Sequence, residues 1–128
     1  MNKMKKIMIV DDEPDICLTL ASVLEDNEFV VDTFDDPLLA LENFRKDSYD
    51  LLILDIIMKK MNGFELYREI NKIDNKVKVC FLTATKFNRG EFMNVLRELK
   101  ENQFIQKPIL NQELLKIIYE ITSSVVLK

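Results

Sequence analysis

Leu51-Leu52-Ile53-Leu54-Asp55 decides the fold: four apolar residues in a row, closed by a carboxylate. A run with no polar alternation leaves no face for solvent, so it fits a central parallel strand covered by helices on both sides. Working outward, Ile7-Met8-Ile9-Val10 is a second such run, and it too ends on acids, Asp11-Asp12. The run 77–82 ends on Thr83-Ala84, and the short run Gln103-Phe104-Ile105-Gln106 ends on Lys107-Pro108. Residues 29–34 complete a set of five; they and 103–106 are the more polar, as befits edge strands.

Longer segments of helical period separate these runs. Asp12 or Glu13, ahead of Pro14, opens the first, with Ile16, Leu20, Val23 and Leu24 as its apolar stripe. Asp36 ahead of Pro37 opens the second, with Leu41 and Phe44 facing inward. Gly63 begins the third, which passes through Leu66 and Ile70 and ends within 71–75. A fourth covers residues 88–100, striped by Phe92, Val95, Leu96 and Leu99, and Asn111 caps a fifth carrying Leu114, Leu115, Ile118, Ile121 and Val125. The alternation predicts an α/β fold, a (βα)5 doubly wound parallel sheet, in one domain spanning 1–128.

The 128 residues can bury roughly two-thirds of their unfolded surface. A net charge of -4 argues against a nucleic-acid footprint, which needs a clustered basic face; Lys3, Lys5 and Lys6 form a solvated edge. Cys17 and Cys80 sit among apolar residues and are expected as buried free thiols of a reducing compartment. The chain has no histidine, which excludes zinc clusters, His-based triads and a histidine phosphodonor within it. The apolar run in 1–10 is too short for a signal peptide, and no stretch approaches a membrane span. The expectation is a soluble, cytoplasmic protein with no membrane contact.

In an open parallel sheet the carboxyl ends of the strands share one edge, which forms the ligand crevice. Asp11, Asp12, Asp55, Thr83 and Lys107 therefore converge. Each has an ordinary explanation when taken alone: helix-capping acids, a strand-end carboxylate, a hydroxyl of no consequence, a turn. Together they are a site for a divalent cation and a phosphoryl group. Mg²⁺ takes hard oxygen ligands, one or two carboxylates plus waters and phosphate oxygens; Mn²⁺ is able to substitute. A bound cation would relieve the repulsion among the three carboxylates and leave Asp55 ionised as a nucleophile. Lys107 adds a positive charge for a phosphoryl oxygen, with the Thr83 hydroxyl and the Ala84 backbone N–H as further donors.

These residues carry a resemblance over essentially the whole chain. The pattern Ile7-Met8-Ile9-Val10-Asp11-Asp12-Glu13, Asp55-Ile56-Ile57-Met58 with Met61-Asn62-Gly63, Thr83-Ala84 and Phe104-Ile105-Gln106-Lys107-Pro108 resembles the receiver domains of two-component response regulators. The resemblance implies a flavodoxin-like receiver fold with strand order 2-1-3-4-5. It implies Asp55 as phosphoacceptor, Asp11 and Asp12 as Mg²⁺ ligands, and the backbone carbonyl of Ile57 as the last protein ligand. Thr83 and Phe104 become a coupled switch pair, Lys107 the phosphate-pairing lysine, and Lys107–Pro108 a cis peptide.

The implied partners are a sensor histidine kinase or phosphotransfer protein upstream. Downstream, an effector protein would bind the face of the fourth helix, fifth strand and fifth helix, where Met93, Arg97, Lys100 and Tyr119 are expected. The chain would be a monomer or a phosphorylation-dependent dimer, and a signalling domain rather than an enzyme. One departure is visible: the family's usual proline four residues after the phosphoacceptor is Lys59 here, followed by Lys60.

Three rival readings fit these residues less well. A magnesium-dependent phosphatase with an aspartate nucleophile wants a second acid two residues on, where Ile57 stands. A nucleotide or flavin binder wants a glycine- or hydroxyl-rich loop after the first strand, where Asp11-Asp12-Glu13-Pro14-Asp15 is anionic. A degenerate receiver acting as a constitutive protein-interaction module would lack a site residue, and none is missing.

Overall fold

In the computed structural model, which describes residues 4–84 and 103–123, the two unbroken apolar runs are neighbours at the centre of one sheet. β1 (Lys6–Val10) lies beside β3 (Leu51–Asp55), with Ile7 opposite Leu51 and Val10 opposite Leu54. β2 (Val30–Phe34) flanks β1, while β4 (Lys78–Thr83) and then β5 (Phe104–Gln106) extend the other side. The order is β2-β1-β3-β4-β5 and every pairing is parallel. The order in which strands are added changes side between β1 and β3, so the crevice opens at their carboxyl ends.

Each central strand sends alternate side chains to two separate cores. Ile7, Ile9, Leu51, Ile53, Cys80 and Leu82 pack with Cys17, Leu20 and Leu24 of α1 (Pro14–Glu25) and with Leu114, Ile118 and Ile121 of the C-terminal helix (Asn111–Thr122). Met8, Val10, Leu52, Leu54, Val79 and Phe81 face the opposite way. They meet Ala40 of α2 (Pro37–Asn43), with Phe44 just beyond it, and Phe64, Leu66 and Ile70 of α3 (Gly63–Ile73). A strand apolar at every position is what two cores require.

The helix starts differ in detail from the sequence expectations. Asp36 caps α2, accepting from the Leu38 N–H at 2.9 Å, and Asn62 with Glu65 forms a capping box on α3. Glu13 occupies the α1 N-cap without a side-chain bond there, because its carboxylate lies beside Lys107 instead. Asn111 is already helical: the Leu114 N–H bonds the Leu110 carbonyl, which moves the N-cap to Leu110. Phe29 precedes β2 and is buried, its ring 5.5 Å from that of Tyr119. Tyr119 is exposed on its helix and flanks the turn into β2. Lys6 is half-buried, 3.5 Å from Asp32 and above the Tyr49 ring, so it is more than a solvated edge. Both cysteines are free and buried. Among the described residues no helix is long and apolar enough to cross a membrane. Lys3, Thr85, the fourth helix expected over 88–100 with Met93, Arg97 and Lys100, and Val125 to Leu127 lie outside the described residues.

Candidate functional site

The two central strands each deliver a carboxylate to the crevice in the residue where the strand stops. Asp11 follows β1, is fully buried, and is fixed by its own backbone: its N–H donates to the Phe34 carbonyl at 3.1 Å. Its Oδ1 accepts from the Glu13 N–H at 2.9 Å, turning the chain into α1. Asp12 is half-buried, and its Oδ2 accepts from the Lys59 N–H at 3.2 Å. Asp55 closes β3 and is 4% exposed. Ligand oxygens of Asp11, Asp12 and Asp55 all lie within 4.8 Å of one another.

Lys107 enters from the far side of the sheet. Its N–H donates to the Thr83 carbonyl at 2.7 Å, tying the end of β5 to the end of β4, and its peptide with Pro108 is cis. The ammonium lies 2.7 Å from Asp11 Oδ2, 3.4 Å from Glu13 Oε1 and 3.6 Å from Asp55 Oδ2. Burial alone would lower its pKa, but the carboxylates of Asp11, Asp55 and Glu13 prevail and raise it, so Lys107 stays charged.

One cation does not balance this much negative charge. Burial, then the neighbouring Asp11, pushes the Asp55 carboxyl up to about 7, and Lys107 only partly opposes the rise. Asp11 Oδ2 is fully buried and receives no well-aligned hydrogen bond among the described residues, although Lys107 sits beside it as an ion-pair partner. Three hard carboxylate donors within reach of one another, with one ammonium against them, fit a small divalent cation such as Mg²⁺.

Thr83 ends β4 and is buried, while Ala84 is exposed at the rim. Phe104 stands at the start of β5, in register with Phe81, and its ring stacks on Phe81 at 5.7 Å. It also approaches the Phe64 ring at 6.4 Å. Phe104 is therefore part of the α3-side core. Ile57 presents its side chain to solvent, 64% exposed, so any contribution it makes to a cation comes from its backbone.

Three contributors were not singled out from sequence for this site. Glu13 appears in sequence as a helix-opening acid and as the end of the first motif, with no role assigned to it in the site. Gly63 stands in sequence as a helix start and in the Met61-Asn62-Gly63 motif without a stated role; its N–H donates to the Ile56 carbonyl at 2.9 Å, and a Cβ built there would lie 2.4 Å from the Asp55 carbonyl oxygen. Only glycine lets α3 begin this close to the strand that holds Asp55. The third is Asp36, whose second oxygen pairs with Lys60 at 2.7 Å. Scarcity was the available signal for Gly63, since the chain has two glycines.

The family model described as response regulator receiver domain matches residues 7–119. Among curated proteins, a transcriptional regulatory protein CpxR homolog of Haemophilus influenzae is 37% identical over 88% of this chain and 48% of its own length. The response regulator receiver protein CpdR of Brucella abortus is 35% identical over 63% of this chain and 68% of its own. The chain spans about half the length of most of the curated relatives it matches. Among solved structures, the non-phosphorylated HemR receiver domain of Leptospira biflexa superposes with a TM-score of 0.83 at 26% identity, covering 97% of this chain and 98% of that one. A CheY-like receiver from Methanospirillum hungatei, at 24% identity and a TM-score of 0.80, shares the fold.

Proposed function

This chain belongs to the response regulator receiver domain family of two-component signalling, and from that premise we propose that it is a phosphoacceptor switch that receives its phosphoryl group on Asp55. The donor is a phosphohistidine of a sensor kinase or phosphotransfer protein, and the cation is Mg²⁺, with Mn²⁺ as a substitute. The observation that carries the proposal is a buried strand-end carboxylate within ligand reach of two further aspartates and 3.6 Å from a lysine ammonium.

Asp55 attacks phosphorus with one carboxylate oxygen. The phosphorus–nitrogen bond to the donor imidazole breaks, and its electron pair stays on that nitrogen. Lys107, 3.6 Å from Asp55 Oδ2, would pair with a phosphoryl oxygen carried there, and a buried charge aimed at developing charge favours the transition state. The buried Thr83 hydroxyl and the Ala84 N–H at the rim would supply further donors. Asp11, Asp12, Asp55 and the Ile57 carbonyl would hold Mg²⁺, which neutralises the carboxylates and adds a Lewis acid for the incoming group. The phosphorylated form then signals through protein–protein contact with an effector, and the domain catalyses only its own phosphorylation and hydrolysis.

Acetyl phosphate with Mg²⁺ tests the proposal. One phosphoryl group per chain is expected by intact mass, none with EDTA and none in Asp55→Asn. Labelling that persists in Asp55→Asn would reject Asp55. A native chain that takes up no phosphoryl under any condition would favour the constitutive interaction module.

A further inference from the structure

Met58-Lys59-Lys60-Met61 leads from β3 towards α3 through a γ-turn. The Met61 N–H donates to the Lys59 carbonyl at 2.8 Å, and Lys60 between them has φ 72. A γ-turn with a positive central φ is the rare, strained form, and a side chain in that region adds to the strain. Strain of this kind persists where the surroundings over-determine it. Two long-range contacts do so. Lys60 Nζ pairs with Asp36 Oδ2 at 2.7 Å, at the N-cap of α2. The Lys59 N–H donates to Asp12 Oδ2 at 3.2 Å, across 47 residues of chain. Between them runs a groove of about 470 Å³ lined by Asp12, Glu13, Asp35, Asp36, Lys59 and Lys60, among others.

A proline at position 59, the residue the resemblance calls for, has no N–H to give. This loop has one, and directs it at a carboxylate of the candidate cation site. We propose that the main-chain N–H of Lys59 is a positioning donor that orients Asp12 for divalent-cation binding, with the Lys60–Asp36 pair holding the strained turn in place. The inference rests on the acid pair being the cation site. A carboxylate has four lone-pair positions, so one hydrogen bond leaves Asp12 free to ligate. Hydrogen bonds to ligating carboxylates fix their orientation, and losing such a partner commonly weakens metal binding 10- to 100-fold. Because the Lys60–Asp36 pair is exposed, salt screens its share.

The test is a Mn²⁺ titration of the whole chain, with free Mn²⁺ read by electron paramagnetic resonance. Lys59→Pro is expected to weaken binding by about tenfold, whereas Lys59→Ala keeps its N–H and binds as the native chain does. Lys60→Met weakens binding at low salt and converges with the native chain at high salt. Melting in EDTA shows whether Lys59→Pro is folded. Independently of that variant, the native Lys59 amide resonance should move in Asp12→Asn. Unchanged binding in Lys59→Pro, a loss in Lys59→Ala as large as in Lys59→Pro, or a Lys59 amide indifferent to Asp12→Asn each overturns the proposal while leaving the cation site standing. Absence of saturable Mn²⁺ binding in the native chain would overturn the cation site itself.

Discussion

The proposed role of Asp55 sets two demands against each other: a nucleophile must be ionised, yet this carboxylate is almost wholly buried, where a charge is poorly solvated. Its carboxyl stands at about 7, through burial and then through Asp11, against about 3.9 in an unfolded chain. Between those values the folded state holds a proton that the unfolded state has released, so without a cation stability falls as pH rises from 4 to 7. Asp55→Asn does not titrate. In EDTA, its stability relative to the native chain should therefore climb across that window, by an amount on the order of a few kcal/mol. Urea denaturation at several pH values measures it, and a difference constant with pH would show that Asp55 ionises freely. Gly63 tests the same site sterically. A Cβ there meets only backbone, the Asp55 carbonyl oxygen at 2.4 Å and the Ile56 Cα at 3.1 Å. Gly63→Ala should cost about 1–3 kcal/mol, as overpacking does, and should slow phosphorylation by displacing Asp55. A variant as stable and as quickly labelled as the native chain would mean that the strand end yields without consequence.

The elements divide by how local their causes are. β1, β3 and β4 were legible in sequence because burial on both faces imprints a continuous apolar run, and Pro14, Pro37 and Gly63 marked where three helices start. The strand-end rule also brought Asp11, Asp12, Asp55 and Lys107 to one edge. What the sequence did not reveal depends on partners far away along the chain. The Glu13 carboxylate abandons its helix for Lys107, Tyr119 turns towards Phe29, and Lys60 reaches Asp36, and no local pattern records such pairings. On the proposed reading, the β3–α3 loop would also bear on how long a phosphoryl group stays on Asp55. Ile57, 64% exposed two residues after Asp55, has no polar atom in its side chain to orient an attacking water. Ile57→Asn is expected to speed loss of the phosphoryl group severalfold, about 1 kcal/mol in barrier terms, as followed by intact mass after removal of acetyl phosphate. Equal half-lives would place control of hydrolysis elsewhere.

Across the whole molecule, the site touches a core through β4 and β5, and this offers a route for the signal. Thr83 ends the strand that carries Phe81, and Lys107 directly follows the strand that carries Phe104; the two rings stack, and the Lys107 to Thr83 hydrogen bond joins the two strand ends. A phosphoryl group that draws the Thr83 hydroxyl and the Lys107 ammonium inward would therefore strain both strand ends at once. Relief needs only a few kcal/mol of difference between two packings of Phe104 against Phe81 and Phe64. On the C-terminal helix, a rotation of about 100° per residue sets Glu113, Ile117 and Glu120 on the flank turned away from Tyr119, and that flank is the one expected to register the change. Beryllofluoride with Mg²⁺, a stable phosphoryl mimic, should shift the amide resonances of Thr83, Phe104 and Gln106 and continue into Ile117, with Tyr119 and Phe29 little affected. Shifts confined to residues around Asp11, Asp55 and Lys107 would show a site that binds the phosphoryl mimic but does not transmit. A response at Tyr119 equal to that at Ile117 would mean that the helix moves as one body and that the β4–β5 route is not selective.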